Sequence, residues 1–373
     1  MCGEDRRPRR ADVDRRSDRR RQQRSNQLLR LRRLRTTGRS PDSPPHPTPS
    51  SDHSVVDQRS RIVIAPLREH KEHSQVNVAA TPSTVLDGFA FTECPRWHDG
   101  RLWFVDMHLN QVVSTDLGTT DTSVLDVPGS PGGIGWLPDG RLLVVMMDER
   151  RILRREDDKW VVHADLSTAV PTTLNDLAVD SAGRCFVGET GFDPHEYLSD
   201  PSDIDRVSSG EFECPSLSRL FVVETDGRYR ESASGLAFAN GIVIDDDTRQ
   251  LFVAESFGAR LSRYDMDESG ALSNRLRLPL GFAPDGIGMD AWGHIWVSDV
   301  FGRAAQRVSS TGELLDRVSS RQLCLACTVG GASGNELMLC SSPSLDRTEC
   351  LAKLESHIEM TTITPPARPE NGE

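Results

Sequence analysis

Glu93, Asn175, Asn240 and Asp285 occupy one position in a phrase that the chain repeats. The copies read ECPRWHDGRLWFVD from Glu93, NDLAVDSAGRCFVGE from Asn175, NGIVIDDDTRQLFVAE from Asn240 and DGIGMDAWGHIWVSD from Asp285. A fifth copy, GGIGWLPDGRLLVVMMD, starts at Gly132. Two carboxylates and amide carbonyls presented by separate rigid strands to one point suit a hard divalent cation, which takes oxygen ligands. No histidine or cysteine belongs to this set, which disfavours a structural zinc site. Three or four protein ligands would leave coordination positions for water or substrate, as a catalytic site requires. Turn formation is the plainer account of Asn240-Gly241 and Asp285-Gly286. It does not explain Glu93, nor Asn175, which Asp176 follows.

The elements that must hold these residues can be read from the same copies. Each is a short alternating strand, a tight Asp/Gly-type turn and a second apolar strand ending in an acid. A unit this small cannot bury its own apolar face, so several must pack together. The turns fall at Gly100, Gly140, Gly183, Arg249, Gly293 and Asn335, with intervals of 40, 43, 66, 44 and 42 residues. Six units at this period predict an all-β fold, a six-bladed β-propeller. Six in-phase copies argue against an open sandwich. In the first unit PRWH, RLWFVD, QVVSTD and TSVLDV supply four strands in order. SQVNVAATPSTV is expected to add an outer strand to the last blade and close the ring, while VVDQRSRIVIAPL fits helix or strand. The residue just ahead of each innermost strand then faces one mouth of the channel. Those residues are Glu93, Gly132, Asn175, Asn240, Asp285 and Leu325. The acids ending the second strands (Asp106, Asp148, Glu189, Glu255, Asp299) reach the same mouth and read as acceptors for loop amides.

The 66-residue interval marks an insertion in blade three, GFDPHEYLSDPSDIDRVSSGEFECPSL. Loops of this length inside compact domains are uncommon and are often lids or disordered, so a lid over the mouth and a mobile acidic surface loop are the two readings. Its position beside the ring makes Phe192, His195 and Tyr197 candidate substrate contacts.

Composition bounds the rest. The chain has 373 residues and a formal charge of -12, which argues against a specific nucleic-acid partner. Residues 1–40 nonetheless hold fifteen arginines against five acids, followed by PDSPPHPTPSSDHS. Such a segment cannot offset its ordering entropy by burial. Residues 1–60 are therefore expected as a disordered tail, 76–358 as the propeller and 359–373 as a second disordered tail. No stretch has the length and apolarity of a membrane helix or the apolar run of an export signal. The expected location is the cytoplasm, with reduced thiols and no membrane partner. Cys324 and Cys327 invite a zinc reading with Cys340 and Cys350, yet QLCLACTV reads well as an inner strand. Nothing in the sequence speaks to oligomeric state.

At the repeated phrases the chain resembles the senescence-marker protein 30/gluconolactonase family, across roughly residues 85–350. FTECPRWHDGRLWFVD is similar to the family's E-G-P-x-W opening, and TLNDLAVDSAGRCFVGE, FANGIVID and PDGIGMDAWGHIWVSD follow in family order. The resemblance implies a six-bladed propeller with one divalent metal held by Glu93, Asn240 and Asp285, and with Asn175 beside it near substrate. It implies calcium first, with zinc, manganese or magnesium as alternatives. It also implies that Asp285 acts as general base in opening a lactone, a small-molecule substrate. Two departures stand out. Cys94 replaces the family's glycine, and Thr173 stands where sugar lactonases often carry an arginine that contacts the sugar. The alternatives are a non-catalytic calcium-binding or scaffold propeller, and a hydrolase of another ester. No G-x-S-x-G elbow, phosphate loop or dinucleotide fingerprint points to other chemistry.

Overall fold

In the computed structural model, residues 77–78, 81–119, 121–198 and 201–365 are described. Strands dominate because apolar and polar residues alternate between tight turns, and several turns use positive φ. Gly100, Gly140, Gly183 and Gly293 lie between +72° and +85°, and Arg249 takes +53° in the fourth unit. A left-handed residue there reverses the chain within two positions.

The strands form six antiparallel sheets whose main members follow chain order from the channel outward. Blade one is Thr92–His98, Arg101–Asp106, Gln111–Thr115 and Thr122–Asp126. Blade two runs from Pro131–Trp136 to Lys159–Asp165, blade three from Leu174–Val179 to Tyr229–Leu236, and blade four from Ala239–Asp245 to Leu272–Pro279. Blade five runs from Pro284–Met289 to Leu314–Ser319. Each innermost strand packs on the next, and the sixth, Leu323–Gly330, packs on the first, so the ring is closed. This is the expected six-bladed β-propeller. Between blades two and three the core is Leu143, Val145, Leu177, Val187 and Phe221. Phe186, Leu220, Ile242 and Val253 fill the next interval.

Blade six is built from both ends of the propeller. Leu323–Gly330, Glu336–Ser342 and Ser356–Thr362 are completed on the outside by Ser83–Phe89. Only part of the expected closing segment goes there, since Asn77–Val78 pairs in parallel with the outer strand of blade five. The expected tail from residue 359 is corrected as well. HIEMTTI alternates like a strand, Glu359 and Ile363 are buried, and the Thr364 carbonyl accepts from Arg307 Nη1 at 2.8 Å. Residues 1–76, including VVDQRSRIVIAPL and the arginine-rich segment, and 366–373 lie outside the described residues. Cys324 and Cys327 are core residues of the last inner strand, and Cys327 donates through Sγ to the Trp296 carbonyl at 3.2 Å. No helix among the described residues is long and apolar enough to cross a membrane.

Candidate metal centre

All six inner strands slip register at the same point. In blade one the slip falls between Glu93 and Arg96, in blade three between Leu174 and Leu177, in blade four between Ala239 and Ile242, and in blade five between Pro284 and Ile287. Blades two and six slip at Pro131–Ile134 and Cys324–Ala326. A bulge of this kind takes a residue out of the ladder and re-aims its side chain. The ring residues therefore sit inside the strands, at the bulges, and not ahead of the strands as expected. Close packing at the bulges excludes larger neighbours. A Cβ on Gly241 would lie 2.6 Å from both the Asp285 carbonyl oxygen and the Ile287 amide nitrogen.

Glu93, Asn175 and Asn240 share this end of the channel with Asp285. Glu93 is buried and accepts from the Cys94 amide at 2.9 Å through Oε2. Asn175 donates through Nδ2 to the Ala239 carbonyl at 3.3 Å, and Asn240 donates through Nδ2 to Ser256 Oγ at 3.0 Å. In both amides nitrogen makes the bond, which leaves the carbonyl oxygen for another partner. Asn240 also hydrogen-bonds Asp285. Burial, followed by the charge of Asp285, pushes Glu93 well above the usual carboxylate range. Burial likewise pushes Asp285 up to about 7, against the pull of the Asn240 hydrogen bond. Neither carboxylate has an ion-pair partner among the described residues. A buried and a partly buried carboxylate that repel one another, beside two amide side chains, form a donor set that fits a hard divalent cation.

Cys94 has φ +49°, the left-handed region that glycine adopts freely. Its thiol side packs among Val105, Val112 and Ile134, so the substitution exchanges backbone ease for core contact while the Glu93 hydrogen bond is kept.

Two residues absent from the sequence expectations lie directly beside this set. Arg96 reaches across the channel from blade one and donates through Nη2 to Asp176 Oδ1 and to the Leu177 carbonyl, both at 2.7 Å. Asp176 Oδ1 also accepts from the Leu177 amide at 2.8 Å, and its Oδ2 from the Ile242 amide at 3.1 Å. The signal was present. The position after each ring residue is otherwise Cys94, Gly133, Gly241, Gly286 or Ala326, so Asp176 is its one charged occupant.

Of the five acids expected to receive loop amides, Asp106, Glu255 and Asp299 do so. Glu189 pairs with Arg219 instead, and Asp148 lies beyond the strand Leu142–Met146. Asp106 accepts from the Ala90, Phe91 and Leu109 amides, and Asp299 from the Gly302 amide. Glu255 accepts from the Ala237 amide and from Arg260 and Arg275.

The blade-three insertion is not a structureless loop. It carries a 3-10 turn, Pro194–Glu196, and an α-helix, Pro201–Ser209. Val207 and Phe212 pack with Phe238, Phe257 and Ala283, which lie within two residues of Asn240 or Asp285 or on the adjoining loop. Phe192 is buried, with ring centroids 4.9 Å from Phe257 and 5.5 Å from Phe238. It anchors the insertion in this cluster rather than lying open to ligand. Tyr197 is half exposed, edge-on to Phe192 at 5.7 Å. The His195 side chain lies outside the described residues. The Thr173 hydroxyl is 3.1 Å from that of Thr190, on the blade-three edge of the same mouth.

These features define a six-bladed propeller with an oxygen-rich donor set at one end of its channel. The chain matches the SMP-30/Gluconolactonase/LRE-like region over residues 91–343, and it belongs to that family. It is 29% identical over 235 residues to a pentonolactonase of Haloferax volcanii, covering 60% of this chain and 72% of that protein. It is 24% identical over 234 residues to a 6-deoxy-6-sulfogluconolactonase of Pseudomonas putida, covering 61% and 74%. Among solved structures, regucalcin, a calcium-binding protein from Agrobacterium tumefaciens, shares the fold with a TM-score of 0.61 at 17% identity. That likeness covers 78% of this chain and 96% of that one.

Proposed function

We propose that the protein is a metal-dependent lactonase. The observation that carries this reading is the pair of buried Glu93 and partly buried Asp285, flanked by the Asn175 and Asn240 amides and, among the described residues, without a cationic side chain bound to either carboxylate. The lactonase relatives support the ester-opening activity. Glu93, Asn240 and Asp285 would hold the cation, with Asn175 beside it. A divalent cation bound there supplies Lewis-acid polarisation of the lactone carbonyl.

The remaining chemistry falls to the side chains. Asp285, with one oxygen free, takes the proton of the attacking water and can return it to the ring oxygen as the C–O bond opens. Asn175 directs its amide at substrate or water, and the docked insertion narrows the mouth on the side of blades four and five. The all-oxygen donor set favours calcium, magnesium or manganese over zinc.

The test is hydrolysis of a lactone panel by chelated protein, repeated after adding back single metals. Turnover restored by one divalent ion is expected. Undiminished hydrolysis after chelation would refute metal dependence. Cation binding without turnover on any lactone would identify a binding propeller instead.

A further inference from the structure

Among the described residues, Arg96 is the one guanidinium that crosses the channel at the candidate metal centre. Its Nη2 bonds to Asp176 and to the Leu177 carbonyl reach blade three from blade one, bypassing blade two. Gly133 lets the blade-two strand pack tightly against Asp176, since a Cβ there would lie 2.2 Å from the Leu177 amide nitrogen and 2.5 Å from Asp176 Oδ1. Below the pair the channel widens into a cavity of about 800 Å³ lined by Arg96, Trp97, Trp136, Ile244 and Met289. Above it stand Glu93 and Asp285, and Asp176 acts on both through its charge. Arg96 and Asp176 thus form the partition between the donor set and the cavity.

Charge gives this partition a consequence. Three carboxylates and one guanidinium share a region of low polarisability, where a unit charge counts for far more than in water. Their ionised net charge is two negative units, which match one divalent cation. Without Arg96 the match shifts to three units, and without the Asp176 charge to one. Affinity at oxygen-donor sites follows the charge count of the site.

Resting on the metal-site reading above, we propose that the Arg96–Asp176 pair sets the net charge of the site and thereby its preference for divalent over trivalent cations. Neither residue touches the cation. They act through the field at the donor set and through the hydrogen bonds of Asp176 to the Leu177 and Ile242 amides, which fix its carboxylate in place.

The experiment measures terbium and calcium affinities by luminescence titration and competition on the full chain. The proteins compared are wild type, Arg96→Gln, Asp176→Asn, Arg96→Lys and the double exchange Arg96→Gln/Asp176→Asn. The terbium-to-calcium affinity ratio should rise at least about tenfold in Arg96→Gln and fall at least about tenfold in Asp176→Asn, from one unit of charge at short range. It should return to within about threefold of wild type in Arg96→Lys and in the double exchange, which restore the net charge. A purely structural role would weaken both ions together and leave the ratio unmoved, and that outcome overturns the proposal. If a single variant does not fold, Arg96→Lys and the double exchange carry the test, and a tenfold drift in either is equally fatal. Wild-type protein that binds neither ion would instead refute the metal-site reading itself.

Discussion

Asp285→Asn should stabilise the cation-free protein at alkaline pH while abolishing cation binding. The unfolded chain releases the Asp285 proton near 3.9, whereas the folded, cation-free protein releases it at about 7. Between these values the folded state binds more protons than the unfolded state, so stability falls as pH rises through the interval. At about 1.4 kcal/mol per unit, the full shift corresponds to about 4 kcal/mol by pH 8. Asp285 retains some solvent access and its asparagine replacement keeps a hydrogen bond to Asn240 only in part, so about 2–4 kcal/mol should be recovered. For a domain of this size that is roughly 3–7 °C in melting temperature. The assay is thermal melting in chelator at pH 5 and pH 8, with calorimetric titration of calcium alongside. The variant should melt above wild type at pH 8, keep about a third of that advantage at pH 5, where the unfolded carboxyl is already ionised, and bind no calcium. A variant that melts below wild type at pH 8 in chelator would refute the electrostatic account of the pair.

Cation binding to wild type should release protons below pH 8, with affinity falling steeply below pH 7 because Asp285 and Glu93 must both ionise. Titrations in buffers of different ionisation heat count those protons, and an affinity unchanged from pH 6 to pH 8 would contradict the donor assignment. Glu93→Gln and Asn240→Ala should each reduce cation affinity at least tenfold, and wild-type metal content in either would remove that residue from the set. Phe192→Ala should undock the insertion, at a cost of about 3 kcal/mol for a buried phenylalanine. Limited proteolysis should then cut within 190–217 and KM should rise, and an unchanged digestion pattern would show that the aromatic cluster does not hold the segment. Replacing residues 196–213 with a short Gly/Ser linker should leave cation binding intact and alter KM across the lactone panel, and identical kinetics would show that the insertion plays no part in substrate selection.

The legible parts of this protein are those its repeat makes redundant. Six copies of one phrase place the blades, and phase alignment brings Glu93, Asn175, Asn240 and Asp285 to one end of the channel. The bulges were hidden because register slippage depends on pairing between strands, which no single strand's alternation records. Arg96 and Asp176 were passed over for a different reason. Each is one charged residue within an otherwise ordinary strand, and their partnership spans eighty residues. The insertion helix carries few apolar positions, and its Val207 acquires meaning only against Phe257 and Phe238. The final strand was missed because Glu359 looks like a surface acid, whereas it is buried against His357 Nε2 at 2.9 Å.

The two-ended construction of blade six bears on how the site comes into being during synthesis. Ser83–Phe89 leaves the ribosome long before its partner, Ser356–Thr362, has been made. At roughly 5–20 residues per second, about 15–50 s separate the appearance of Glu93 from that of the last strand. Through that interval blade one has an unmet flank, and the donor set lacks the closed wall that gives it a fixed geometry. The nascent propeller is therefore exposed to edge-to-edge association for as long as the ring stays open. The candidate cation site would be among the last features to mature, so a ligand for it would reward a finished ring but could not template an unfinished one.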